Sequence, residues 1–302
     1  MSSALPFITA NDVGLVHDLL SRHVSQWKPL PIRCVGQGWD TIIFDVGDGL
    51  VARFPVRAQS VDTIMREQQW LGYIASVIAT NTPQVVHTCP PDDTFPYPWL
   101  VTRWVDGDLA LGCSPDLRDR AARSLALAVA SLHREAPRDA PTNPFRGVAL
   151  GVRLERLSDD VNCPEMLPYS ERLLHAVADA PTYDGALVWC HGDLHPGNFL
   201  LDEQGDLAGV IDFGDLTRGD PAVDCATAWL SFTSAGRATY FETYCQARGL
   251  DNDARVSLIS RSRGWAVAAF IAPLLTSPLA SERYRALGRY GLSQVLLDDS
   301  LT

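Results

Sequence analysis

Two short apolar runs, Phe199–Leu201 and Leu207–Phe213, flank the linker Asp-Glu-Gln-Gly-Asp at 202–206. Runs of this length and composition, joined by a polar linker with a glycine, read as the two strands of a hairpin. A hairpin lays the start of its first strand beside the end of its second. Here both ends are polar. HGDLHPGN at 191–198 leads into the first strand, and Asp212 closes the second. Between Val188 and Asp215 the chain carries five aspartates, two histidines and an asparagine. Like charges repel, and buried carboxylates are costly. Such crowding means either a solvated loop region or a strongly positive group among the acids.

The hairpin reading brings Asp193, Asn198 and Asp212 together. Two carboxylates and an amide oxygen are hard oxygen donors suited to Mg²⁺. Asp212 and Asn198 then serve as metal ligands, which leaves Asp193 to orient a hydroxyl or accept its proton. A divalent cation carrying nucleotide phosphate would supply the missing positive charge.

The rest of the chain divides in two. Residues 11–23 have an amphipathic helical pattern, with Val13, Val16, Leu19 and Leu20 on one face. Strand patterns follow at Ile32–Val35, Thr41–Val46 and Leu50–Phe54, the last two joined by Gly-Asp-Gly at 47–49. A helix is expected over 60–79, then strands at Val85–His87 and Trp99–Val105. Beyond Asp106-Gly107 the pattern becomes helical. Ser114-Pro115-Asp116 is a helix start, with a capping hydroxyl, proline at the first position and an acid near the positive end. Helical patterns recur at 170–179, 220–248, 253–274 and 281–297. The expected fold class is α+β and bilobal: a small antiparallel-sheet lobe over 1–105 and a larger, mainly helical lobe over 106–302.

Composition narrows the function. The chain is 46% hydrophobic and 20% charged, enough for a large core and too weakly charged for disorder. A net charge of -11 disfavours nucleic acid as a partner. It suits a cationic substrate, or simply a soluble protein. Seven cysteines without a CxxC read as free thiols in a reducing cytoplasm, not as disulfides or a zinc site. The first residues lack a secretory pattern. The run WAVAAFIAPLL is too short to span a bilayer, so no membrane association is expected.

HGDLHPGN at 191–198, IDFGD at 211–215 and GDPAVD at 219–224 together resemble the catalytic and metal motifs of the aminoglycoside phosphotransferase family. The resemblance implies a protein-kinase-like fold, with ATP or GTP bound between the lobes and Mg²⁺ as cofactor. It makes Asp193 the catalytic base and Asn198 and Asp212 the magnesium ligands. His191 and Asp224 become braces that hold the loop by hydrogen bonds. In the small lobe, Gly36 and Gly38 lie where a phosphate-covering loop belongs, although an ordinary hairpin turn fits the same residues. Arg53 stands where kinases carry a lysine, and Glu67 where its acidic partner belongs. A surface ion pair is the alternative for these two. Thr102, Arg103 and Val105 fall in the interlobe connection and would contact the base through backbone groups. Trp99 and Trp104 are expected in the core, and His133 is expected to be held by carbonyls at a helix end.

The activity implied is phosphoryl transfer to a hydroxyl of a small molecule, with an aminoglycoside-type cation as the expected substrate. Macrolides, choline-like alcohols, homoserine or sugar amines are the alternatives. Asp159, Asp160, Glu165 and Glu242 are candidates to receive ammonium groups, or else belong to solvated helix faces. Only eleven residues separate Asp212 from Asp224 and no APE follows, which leaves little room for the peptide platform of a protein kinase. A catalytically inactive nucleotide-binding module is a further alternative, with Arg53 as its support. The protein is expected to be a monomer or homodimer.

Overall fold

The computed structural model describes residues 7–24 and 30–297. The chain forms two compact units, Met1–Val77 with Asn81–Val105 and Ile78–Thr80 with Asp106–Thr302.

The first unit holds α1 (Val13–His23), β1 (Arg33–Gln37), β2 (Thr41–Gly47), β3 (Leu50–Pro55), α2 (Gln59–Val77), β4 (Val85–Cys89) and β5 (Trp99–Arg103). The five strands form one antiparallel sheet in the order β1-β2-β3-β5-β4. In the β2–β3 turn, Asp48 and Gly49 both take positive φ, 55° and 69°, as a tight two-residue hairpin requires. Val16, Leu19 and Leu20 of α1 lie three and four residues apart and are buried in one cluster with Ile42, Phe44, Ala52, Phe54, Trp99 and Val101. Phe54 stacks on Trp99 with ring centroids 4.8 Å apart. Because side chains alternate along a strand, Ala52 and Phe54 enter this core while Arg53 faces the other way. There α2 presents Glu67.

The second unit opens with β6 (Asp108–Leu109), α3 (Pro115–Arg118), α4 (Ala122–Leu132), α5 (Leu154–Asp160) and α6 (Ser170–Ala178). It continues through β7 (Val188–Cys190), β8 (Phe199–Leu201), β9 (Leu207–Val210) and β10 (Thr217–Gly219). The chain then runs as α7 (Ala222–Cys225), α8 (Thr227–Ser231), α9 (Ser234–Arg248), α10 (Asn252–Trp265), α11 (Ala272–Thr276) and α12 (Glu282–Leu296). Ser114 caps α3 by accepting a hydrogen bond from the Leu117 N–H at 3.3 Å, as its sequence predicts. A π-helical segment, Ala266–Ile271, joins α10 to α11. Pro273 follows it, has no N–H for the carbonyl four residues back, and so favours the wider turn. The core is packed with Trp189, Trp229, Trp265, Phe199, Phe213, Tyr240 and Tyr244.

Several expectations are corrected. The second hairpin strand stops at Val210, and Asp212 lies beyond it in the left-handed region at φ 65°. The pattern at 220–248 resolves into three helices, α7 to α9. Trp99 is fully buried, but Trp104, past the end of β5, is 45% exposed. Four cysteines are buried and three partly so; burial pushes the Cys89 thiol up to about 12. Among the described residues no helix is long and apolar enough to cross a membrane.

Candidate active site

The acidic stretch is built from two strand pairs. β8 and β9 form the expected hairpin, closed by Asp202, whose Oδ1 accepts the Gln204 and Asp206 N–H groups at 2.9 Å each. β7 pairs with β10, with Cys190 opposite Thr217. The loop 191–198 therefore leaves β7 and enters β8, while 211–216 leaves β9 and enters β10. The Ile211 N–H donates to the Asn198 carbonyl at 2.9 Å, so the two loops start side by side.

Asp224 holds the first loop. Its carboxylate, fully buried, accepts the N–H groups of His191 at 2.7 Å and Gly192 at 2.8 Å. Gly192 has φ 86°, and a Cβ there would lie 2.3 Å from the Asp215 carbonyl oxygen. No other residue fits this position. His191 Nδ1 accepts the Asp193 N–H at 3.2 Å, so its Nε2–H donates to the Ile211 carbonyl at 2.9 Å and ties the two loops together. His133 is held differently from the expected carbonyl contacts. Its Nε2 lies 3.0 Å from Asp224 Oδ2 and its Nδ1 2.6 Å from the Tyr244 hydroxyl. Cys190 lies close to this pair, but both histidine nitrogens and both carboxylate oxygens are already engaged. The cluster is a brace.

Asp193 is a quarter exposed and faces Arg146 and His195. Arg146 donates to its Oδ1 at 2.6 Å, and His195 Nε2 lies 3.6 Å from its Oδ2. Burial alone would raise its pKa. Arg146 first, then His195 and His191, reverse that and hold the carboxyl well below the usual carboxylate range. Asn198 Nδ2 donates to the Asp193 carbonyl at 2.8 Å, which turns its Oδ1 outward. Asp212 is exposed and makes no ion pair among the described residues. The two offer hard oxygens and no competing cation, a donor set that fits a magnesium ion. The left-handed backbone of Asp212 costs roughly 1 kcal/mol, the kind of strain found at functional sites. Burial first, then Asp193 and Asp212, raise the Tyr284 pKa.

Sequence reasoning missed Arg146, Asn143, Phe270 and Tyr284. Asn143 Nδ2 donates to Asp215 Oδ1 at 2.5 Å, and its Oδ1 accepts the Phe145 and Arg146 N–H groups, which sets the turn that aims Arg146. The Arg146 guanidinium also stacks over Phe270 of the π segment, 5.3 Å from the ring centroid. Only the Pro-Thr-Asn-Pro punctuation at 141–144 signals this turn, and it says nothing about a target.

In the first unit, Arg53 and Glu67 form a buried pair, at 2.9 Å with exposures of 6% and 0%, rather than a surface pair. The Arg53 Nε is buried without a hydrogen-bond partner. Gly36 lies within β1, and Gly38 turns the chain toward β2, its N–H on the Thr41 carbonyl at 2.8 Å. Thr102 is a buried residue of a central strand with β3 and β4 on either side, and the Arg103 N–H donates to Gln84. Val105 lies past the end of that strand.

The acidic substrate candidates fare unevenly. A cavity of about 350 Å³ in the second unit adjoins Asp193 through Arg146. Of the four candidates only Asp160 lines it, and its carboxylate already accepts from Arg156 Nε at 3.2 Å and the Thr276 hydroxyl at 3.2 Å. Asp159 and Glu242 are exposed, Glu165 is partly exposed, and none of the three lines the cavity. Asp160 shares that wall with arginines at 146, 153 and 156.

The sequence profile of the phosphotransferase enzyme family, APH, matches residues 32–259. The chain belongs to this family. Viomycin phosphotransferase of Streptomyces vinaceus is 28% identical over 206 residues, 62% of this chain and 69% of that protein. An uncharacterized Bacillus subtilis protein, YcbJ, is 34% identical over 79 residues, 26% of each chain. Among solved structures, the GDP complex of aminoglycoside 2'-phosphotransferase-IIIa superimposes with a TM-score of 0.67 at 21% identity, covering 95% of this chain and 98% of that one. Macrolide 2'-phosphotransferase type I does so at 0.60 and 21%, covering 94% and 98%. These likenesses, too remote to carry function, establish the protein-kinase-like α+β fold of this APH family member.

Proposed function

We propose that the protein transfers the γ-phosphoryl group of ATP or GTP to a hydroxyl of a small molecule. The feature that supports this most is the pair of adjoining loops that carry Asp193, Asn198 and Asp212, with Asp193 beside Arg146 and His195. Nucleotides named with structural relatives, GDP among them, agree with a nucleoside triphosphate donor.

Asp193 receives the hydrogen bond of the acceptor hydroxyl and points its oxygen at the phosphorus. A carboxylate held far below its usual pKa is a weak proton acceptor. The transition state of phosphoryl transfer is loose, so orientation matters more than proton removal. Asn198 Oδ1 and Asp212 would hold Mg²⁺, which when bound offsets the charge of the nucleotide phosphates. His191 and Asp224 keep the loop in place. In the first unit, Gly36, Gly38 and the Arg53–Glu67 pair are assigned to nucleotide phosphate, with Arg53 donating from a guanidinium pre-oriented by Glu67.

The test is nucleoside diphosphate release with ATP or GTP, Mg²⁺ and a panel of hydroxyl compounds, for wild type and Asp193→Asn. The expected result is transfer by the wild type and a loss of about 10²–10⁴-fold in kcat for the variant, with nucleotide binding retained. Unchanged turnover in Asp193→Asn would overturn the assignment.

A further inference from the structure

The cavity beside Asp193 has a definite electrostatic character. Its walls come from Phe145 and Arg146, from Arg153, Arg156 and Asp160, and from the chain between Ala269 of the π segment and Pro278. At about 350 Å³ it falls within the range of small-molecule sites. Three guanidinium groups line it against one carboxylate. Arg156 is engaged with Asp160, and Arg146 with Asp193 and, at 3.8 Å, Asp215. Arg153 makes no ion pair among the described residues. It lies over the Phe145 ring at 5.7 Å, and its Nε is buried without a hydrogen-bond partner.

Arg153 is thus the one guanidinium of the three without a carboxylate of its own among the described residues, and it lies near two like charges. Burial first, and then the nearby Arg146, push the Arg153 pKa down, with Asp160 opposing and Arg156 adding a little. Such a wall is unfavourable by itself and becomes favourable when an anion completes it. A guanidinium also presents the planar fork that carboxylates and phosphates accept in pairs of hydrogen bonds. A polycation placed here would meet the same repulsion a second time.

From this wall we infer that the phosphoryl acceptor is a small hydroxyl compound that also carries an anionic group, a carboxylate or a phosphate monoester, bound against Arg153 and Arg156. This rests on the phosphotransferase reading above, because it takes Asp193 as the point to which the acceptor hydroxyl is delivered. The anionic end lies in the cavity and the hydroxyl reaches past Arg146 to Asp193. Arg146 then sits between two anions, and the acceptor's charge draws it off the Asp193 carboxylate.

The experiment pairs binding with transfer. Glycerate and glycerol 3-phosphate serve as carboxylate and phosphate probes, glycerol as the neutral control and kanamycin as the cationic one. Calorimetric titration of the full chain should show binding of at least one anionic probe and neither control. With Mg²⁺ and nucleotide, that probe should be phosphorylated. Arg153→Met should raise the KM for it at least tenfold while kcat changes much less, and Arg153→Lys should recover most of the affinity. Circular dichroism and melting curves check that both variants are folded. Binding of kanamycin but neither anion, or identical anion affinity in wild type and Arg153→Met, would overturn the inference. Anion binding lost in Arg153→Met, with no phosphoryl transfer to any compound, would instead overturn the phosphotransferase reading and leave the cavity's preference standing.

Discussion

Asp193 shows how much a single long-range contact alters a residue's chemistry. By its motif it is the expected catalytic base. By its surroundings it is an aspartate pinned in the ionised form by Arg146, 47 residues away in sequence. Its depressed pKa makes a signed prediction. The carboxylate stays ionised as pH falls through the range where ordinary aspartates protonate, so the wild-type activity profile should show no acid limb from Asp193 there. Replacing Arg146 with methionine removes the main stabilising cation and should move that limb upward in pH. The kcat profile of Arg146→Met against wild type checks this; coincident limbs would separate Arg146 from the titration of Asp193. In the first unit, Arg53→Met leaves Glu67 buried without its guanidinium. It should lower the melting temperature and raise the KM for nucleotide, whereas unchanged nucleotide kinetics would reduce the pair to packing.

At the level of elements, two carboxylates fasten segments that have no regular structure of their own. Asp224, on α7, receives the N–H groups of His191 and Gly192 and the His133 ring, all from outside its own helix. An asparagine has one acceptor oxygen for three donors and turns an NH₂ toward them. Asp224→Asn should therefore cost about 2–3 kcal/mol and disorder the catalytic loop, seen as a lower denaturation midpoint together with lost turnover. Asp92 does similar work for α1. Its Oδ1 accepts the Thr94 and Phe95 N–H groups, and its Oδ2 meets His23 and Arg22 of the helix end. Burial opposes ionisation, but the His23, Phe95, Thr94 and Arg22 contacts prevail and lower its pKa to about 2. A folded pKa below the unfolded one contributes stability above about pH 4 that is lost as pH falls toward 2. Asp92→Asn should be less stable than wild type by on the order of 1 kcal/mol near neutrality, and the gap should narrow at pH 3. Denaturant unfolding at both pH values measures it.

For the molecule as a whole, stability and ligand binding are linked. A nucleotide that binds the folded chain through magnesium should raise the melting temperature only when both are present. Asp212→Asn should remove most of that shift, and an undiminished shift would exclude Asp212 as a ligand. Much of this protein was legible in the residues. The β8–β9 hairpin, the β2–β3 turn at Asp48-Gly49 and the buried stripe of α1 follow from alternation, glycine placement and helical spacing, which act over a few residues. The adjacency of Asn198 and Asp212 follows too, because a hairpin register is a local property. The positions of Trp104 and of the end of β9 were not legible, since a strand pattern does not mark where its partner strands stop. Nor were the arginines around Asp193. Arg146, Arg153 and Arg156 belong to a loop and a short helix with no distinguishing pattern, and α5, the π segment and α11 bring them to one wall. The sequence alone brought Asp193, Asn198 and Asp212 into one bracket of adjoining loops, because they are joined by a short stretch of backbone. Only the tertiary structure decided what charge faces that bracket, because packing between distant segments carries no local signature.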